Sequence, residues 1–181
     1  VTLENRYQTK PNQNLLVSSN MGITDYRTDT TFSTADNKNN TYYGLATGYE
    51  YFLSNTNNIK FKLGINQYNA KLDSYGYENN FYTISNSGKI GFLNYTISHS
   101  NNSNKYDKSD TFVKSDTVRD DEIITNSITL SGNLEDLIKN NYIKNVFYNL
   151  SYSDIDSSSN ILNYDYDKEI IKFGLTKRMM F

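Results

Sequence analysis

The chain has no cysteine and no tryptophan, and only one proline and one histidine. Lacking cysteine, it has no disulfide scaffold and no thiolate metal site. No run of about 18 apolar residues occurs, so no helix is apolar enough to span a bilayer. Cations are not in excess: 18 Lys and Arg stand against 20 Asp and Glu, a net charge of -2. That balance argues against a nucleic-acid partner, which calls for a basic stripe. No phosphate-binding glycine loop, metal-ligand cluster or nucleophilic triad is visible, so the residues point to no cofactor and no enzyme.

What is present is aromatic and polar. The chain has 181 residues, a length that suits one domain, with 17 Tyr and 9 Phe. Asn, Ser, Thr and Asp are abundant. Such polarity can mean disorder, but disordered chains are poor in the aromatic and β-branched residues that are common here. Aromatic and β-branched segments between Asn, Asp and Ser clusters mark an all-β protein. The chain begins at Val1, with neither Met nor a signal peptide, and reads as a mature form or an excised piece.

Period-two alternation predicts eight strands, at about 14–26, 41–53, 58–74, 77–86, 89–100, 122–133, 142–154 and 166–181. In the second, Tyr43, Leu45, Tyr49 and Tyr51 oppose Gly44, Ala46, Gly48 and Glu50. In the last, Ile171, Phe173 and Leu175 oppose Lys172, Gly174 and Thr176. A soluble sandwich and a membrane barrel both alternate in this way. Three features favour the barrel. The segments reach the roughly 9–11 residues that cross a bilayer at a tilt. Tyr and Phe recur near strand ends, where an interfacial girdle sits. The connections alternate in length, with long links at Arg27 to Asn40 and Asn101 to Asp121. Tight turns fall at Ser54 to Asn57 and at Asn86-Ser87-Gly88. Short turns on one rim and long loops on the other are the outer-membrane pattern, and eight strands put both ends in the periplasm. Residues 1–12 are either a periplasmic tail or an additional strand spanning Thr2 to Gln8.

A hairpin centred at Thr56 sets Leu53 against Ile59, Tyr51 against Phe61, and Glu50 against Lys62. Glu50 and Lys62 then form an ion pair inside the lumen, away from lipid. Lys60, Lys172 and Arg178 share that inward face, where side chains fill an eight-stranded barrel.

The ending Phe173, Leu175, Met179, Phe181 resembles the assembly signal of Gram-negative outer-membrane barrels, whose last strand alternates and closes on an aromatic. Lys177 and Met179 depart from the pattern. The resemblance implies an integral barrel of the bacterial outer membrane. Its partners would be outer-membrane lipid, lipopolysaccharide and the barrel assembly machinery. The last hairpin, from Asn149 through Tyr164-Asp165-Tyr166 to Phe181, is similar to the barrels of surface lipoprotein assembly modifiers. That similarity implies help in delivering lipoproteins to the cell surface, and the barrel reading as a whole implies transport or secretion, with an exported protein or small solute as cargo.

His99 lies in Ile97-Ser98-His99-Ser100-Asn101. Eight-stranded lipid A deacylases place His and Ser two residues apart on one face. Here that position is Asn101, and Ser100 points the other way, so a polar rim histidine is expected. The longest link repeats Lys108-Ser109-Asp110-Thr111 as Lys114-Ser115-Asp116-Thr117 and reads as a solvated loop. The chain is thus expected to be one transmembrane β-barrel, or the C-terminal part of a larger one. A transport or secretion role heads the expectations, ahead of a closed eight-stranded anchor or adhesin and of a lipid A-modifying enzyme.

Overall fold

A computed structural model describes residues 1–28, 34–111, 113–114, 116–138 and 143–177. Among the described residues, nine antiparallel strands form one sheet in strict chain order. They are β1 (Thr2–Lys10), β2 (Gln13–Thr24), β3 (Asn40–Phe52), β4 (Asn58–Ala70), β5 (Tyr77–Ile90), β6 (Leu93–Tyr106), β7 (Asp120–Asn133), β8 (Val146–Ser159) and β9 (Tyr166–Lys177). A short helix, α1 (Leu134–Ile138), follows β7. The all-β antiparallel expectation therefore holds, with one strand more than the eight foreseen. The extra strand is β1: Thr2 to Gln8 is sheet, pairing with β2 from Thr2 opposite Asn20 to Gln8 opposite Asn14. Among the described residues the sheet is not closed, and each of β1 and β9 pairs along one edge only.

The odd strand count places the start of β1 and the end of β9 on opposite rims, where eight strands would have put both on one. The rim that holds the start of β1 also holds the long links 25–39 and 107–119. The opposite rim holds the tight connections at 11–12, 53–57 and 91–92, and a longer one at 134–145.

Two predicted turns move. Asn86-Ser87-Gly88 is not a turn, because β5 runs through it. The chain reverses instead at Gly91 and Phe92, between the paired Ile90 and Leu93, and Gly91 takes φ +60. A left-handed residue in a two-residue hairpin favours glycine, and Gly91 follows directly on the last strand pair. The β3–β4 turn is centred one residue earlier than Thr56. The Ser54 hydroxyl accepts from the backbone N–H groups of Thr56 and Asn57, both at 3.2 Å. The N–H groups of Leu53 and Ser54 donate to the Asn57 carbonyl. This local serine cap tightens the loop and shifts the register by two residues. Tyr51 pairs with Ile59, Tyr49 with Phe61, and Glu50 with Lys60.

Burial is inverted relative to a soluble sheet. Among the described residues, the buried apolar side chains are Leu16, Tyr148 and Ile161. The buried polar ones are Ser18, Glu50, Asn66, Asn79, Asn104, Asp121 and Ser157. The register sets all seven on one face, the parity of Gly44, Gly48 and Gly64. The opposite parity carries exposed Leu15, Leu45, Phe61, Leu63, Ile97, Leu150 and Phe173. The first is here called the inner face and the second the outer.

Gly44 shows how tightly the inner face packs. A Cβ there would overlap the Asn66 amide and lie 2.5 Å from Asn20 Oδ1 and 2.7 Å from the Ile65 carbonyl. Gly44→Val is expected to lower unfolding free energy by more than about 2 kcal/mol through overpacking. Urea titration of the refolded protein checks this; an unchanged midpoint would contradict the packing described.

Candidate functional site

The inner face carries three polar assemblies stacked from the tight-turn rim to the long-loop rim. Nearest the tight turns is a charged cluster. Glu50 has only 4% of its side chain exposed. Its carboxylate accepts hydrogen bonds from Asn58 Nδ2 at 2.7 Å, Asn14 Nδ2 at 3.0 Å and Arg6 Nη1 at 3.3 Å. One cation and two amides thus hold the buried charge. The Lys62 ammonium goes elsewhere, to Glu4 at 3.6 Å, with Lys60 beside it at 3.7 Å. The expected Glu50–Lys62 pair is therefore corrected. The register shift sets Lys62 opposite Gly48, and β1 supplies both the cation for Glu50 and the anion for the lysines. The contacts from Glu4 bridge β1 to β4, passing over β2 and β3, so the inner face is concave.

In the middle lies an asparagine ladder. Asn20 donates to Asn66 at 3.1 Å, Asn66 to Asn79 at 2.9 Å, and Asn79 to Asn104 at 2.8 Å. Each amide offers both a donor and an acceptor, so a row of them can continue across strands without any charge. The register puts these residues in one row, with Gly44 between Asn20 and Asn66.

At the long-loop rim, one row further, aromatic rings stack. Tyr42 and Tyr68 have centroids 5.5 Å apart, Tyr68 and Tyr77 4.4 Å, and Tyr77 and Tyr106 5.1 Å. Arg119 continues the stack, its guanidinium 4.2 Å from the Tyr106 centroid and 3.6 Å from that of Tyr164. Its Nε and Nη2 donate to Asp121, at 2.7 Å and 2.5 Å to Oδ2. A guanidinium can stack and form a bidentate bond at the same time, which an ammonium cannot. Arg119 thereby ties the base of the 107–119 loop to the β8–β9 link. Asn160 adds to the tie, exchanging bonds with Asp120 and donating to the Val118 carbonyl at 2.8 Å.

Above this floor lies a pocket of about 760 Å³. Its roof comes from the two long links, through Asn37 and Lys38 on one side and Asp110 and Val113 on the other. The Lys38 ammonium sits 5.4 Å above the Tyr75 ring. Burial raises the Tyr75 phenol above its ordinary value, and the nearby Asp110 and Tyr164 add to the rise. The ring therefore stays neutral.

The other foreseen residues are dispersed. Lys172 lies on the inner face of β9, and Arg178 is outside the described residues. Phe173 and Leu175 project from the outer face of β9, 66% and 55% exposed; Met179 and Phe181 are outside the described residues. His99 lies in the middle of β6 rather than at its rim, on the outer face. Its Nδ1 lies 2.8 Å from Asn126 Oδ1, and its Nε2 lies 3.3 Å from the Tyr82 hydroxyl. Asn101 donates to Glu122 at 2.6 Å. Lys108, in the repeat-bearing loop, pairs with Asp73. Among the described residues, no group of three or more His, Asp or Glu is placed to hold a metal ion.

The tyrosine row and Arg119 escaped sequence reading. The parity of Tyr42, Tyr68, Tyr77 and Tyr106 was available, since each is an even step from an inward Gly or Asn. Their place near strand ends suggested a lipid-facing girdle instead. No family model, curated protein or solved structure matches the chain.

Charge reversal distinguishes the two pairings of the charged cluster. Glu50→Lys is expected to cost roughly 2–4 kcal/mol by leaving buried like charge beside Arg6. Adding Lys62→Glu is expected to restore none of it. Recovery in the double variant, read by chemical denaturation, would reinstate the Glu50–Lys62 contact.

Proposed function

We propose that this chain forms the wall of a bacterial outer-membrane β-barrel, serving as the membrane portion of a transport or secretion protein. The observation that carries the proposal is a slanted apolar belt on the outer face. Following hydrogen-bonded partners from Leu15 leads through Tyr49, Phe61, Ile84, His99, Asn126 and Asp154 to Glu169. One row therefore starts apolar and ends acidic. The apolar segments have moved: Leu15, Val17, Met21 and Ile23 in β2, but Ile171, Phe173 and Leu175 in β9. The belt descends toward the tight-turn rim by about one residue per strand. With a rise of about 3.3 Å per residue and about 4.8 Å between strands, that slope corresponds to strands tilted by roughly 35°. Membrane barrels tilt by about 35–45°. A belt level with a bilayer crosses tilted strands in this stepwise way.

The charges support the same reading. On the outer face Asp154 pairs with Glu169 and Asp156 with Asp167. All four lie on the long-loop side of the belt, where a polar headgroup layer or lipopolysaccharide would meet them. Inside, the buried Glu50, Asn66, Asn79, Asn104 and Asp121 bond to other side chains, as a water-poor lumen requires. Lipid and lipopolysaccharide would surround the wall, and the barrel assembly machinery would insert it.

Strand parity disfavours a closed eight-stranded anchor. β1 and β9 run in the same direction, so direct closure would join them parallel. Antiparallel closure takes an odd number of further strands. A wider barrel has room for an exported protein or a small solute. The outward, Asn126-bonded His99 does not support a lipid-modifying enzyme, because Ser100 faces the lumen.

Leu45 lies within the belt. Leu45→Arg is expected to destabilise the protein in lipid vesicles by about 2–4 kcal/mol. Ser158→Arg, on the same face beyond the belt in β8, is expected to have little effect. Equal effects at both positions, or recovery of wild-type protein as a soluble monomer without detergent, would overturn the membrane reading.

A further inference from the structure

We infer that the pocket at the long-loop rim binds an uncharged saccharide. The pocket lies apart from the belt and the charged cluster, so the inference does not depend on what the barrel conducts. Its volume of about 760 Å³ falls in the roughly 300–1,000 Å³ range of small-molecule sites. Tyr26, Tyr75, Tyr77, Tyr106 and Tyr164 line it, with the amides of Asn37 and Asn40 between them. A pyranose ring has apolar C–H faces and a rim of hydroxyls. The open ring of Tyr26 matches such a face, and an amide, carrying both donor and acceptor, matches neighbouring hydroxyls.

Charge decides against the competing ligands. A cluster of tyrosines can also cage a cation. Here the protein's own cations already occupy those ring faces: Arg119 sits against Tyr106 and Tyr164, and Lys38 over Tyr75. A second cation would meet both. An anion would need an unspent guanidinium, but Arg119 is bonded to Asp121 through two nitrogens. Within the lining, Lys38 is further offset by Asp110. The pocket is therefore close to neutral, and a neutral polar ligand fits it best.

Tyr26 is the platform most open to a ligand. It is 44% exposed in the pocket lining, and among the described residues no other ring stacks on it. Its backbone is fixed, because its N–H donates to Asn39 Oδ1 at 2.7 Å. The Asn39 amide in turn donates to Asp25 at 2.7 Å.

The test is a titration of the refolded, detergent-solubilised protein with maltotriose, chitotriose, sialyllactose and choline. Saturation-transfer NMR reports binding, and tyrosine fluorescence offers a second readout because the chain has no tryptophan. Saturable binding of at least one neutral trisaccharide is expected, with no saturable response to choline. Removing one stacking ring by Tyr26→Ala is expected to weaken binding about tenfold. Thr56→Ala, in the tight turn on the far rim, is expected to leave it unchanged. Unaltered heat-modifiable migration in gels shows that each variant is folded. Saturation by choline or sialyllactose alone, no binding of either neutral sugar, or equal affinity in folded Tyr26→Ala would each overturn the inference. Loss of membrane association in the wild type would instead strike at the barrel reading.

Discussion

The structure depends on one constraint: every strand must keep its two faces apart while its backbone bonds to its neighbours. A single-residue slip would carry the lysines and asparagines of one strand outward and its leucines inward. The nine-strand register avoids this along its whole width. The polar face can afford its burial only because its groups meet partners of their own kind. Glu50 finds Arg6 and two amides, Asn66 and Asn79 find other amides, and Asp121 finds Arg119. An apolar face of this extent, left exposed, calls for lipid or another apolar cover.

Side chains on the inner face interact across strands that are not neighbours. That is a consequence of curvature together with small residues in the intervening positions. Arg6 reaches over β2 to Glu50, and Glu4 reaches over two strands to Lys60 and Lys62. Asn20 reaches Asn66 across Gly44. The three assemblies differ in chemistry along the strand axis, running from charged through amide to aromatic. The aromatic row ends in Arg119, which passes the order of the sheet into the long loops. The rim pocket is built on that continuity, since its floor is sheet and its roof is loop.

Much of the fold was legible in period two. Leu45, Tyr49 and Tyr51 stand on the face that alternation assigns them, as do Phe173 and Leu175. The turns were less legible. Gly88 and Gly91 are equally glycine in sequence, and only the pairing of Ile90 with Leu93 makes Gly91 the reversal. The Glu50–Lys62 expectation failed for a related reason. A hairpin centre one residue away still leaves Glu50 opposite an inward lysine, so charge complementarity could not choose between Lys60 and Lys62. Thr2 to Lys10 also alternates, but an exposed edge segment with Glu4 and Arg6 reads as readily as a tail.

The sequence by itself determined the all-β class and the division of each strand into an apolar and a polar face, because alternation is local and needs no knowledge of neighbours. Tertiary structure decided what depends on several strands at once. These are the partners of Glu50, the asparagine and tyrosine rows, the slope of the apolar belt and the odd strand count. Each is a sum over registers, and a register is set by turn geometry: the Ser54 cap moves one by two residues, and the left-handed Gly91 sets another.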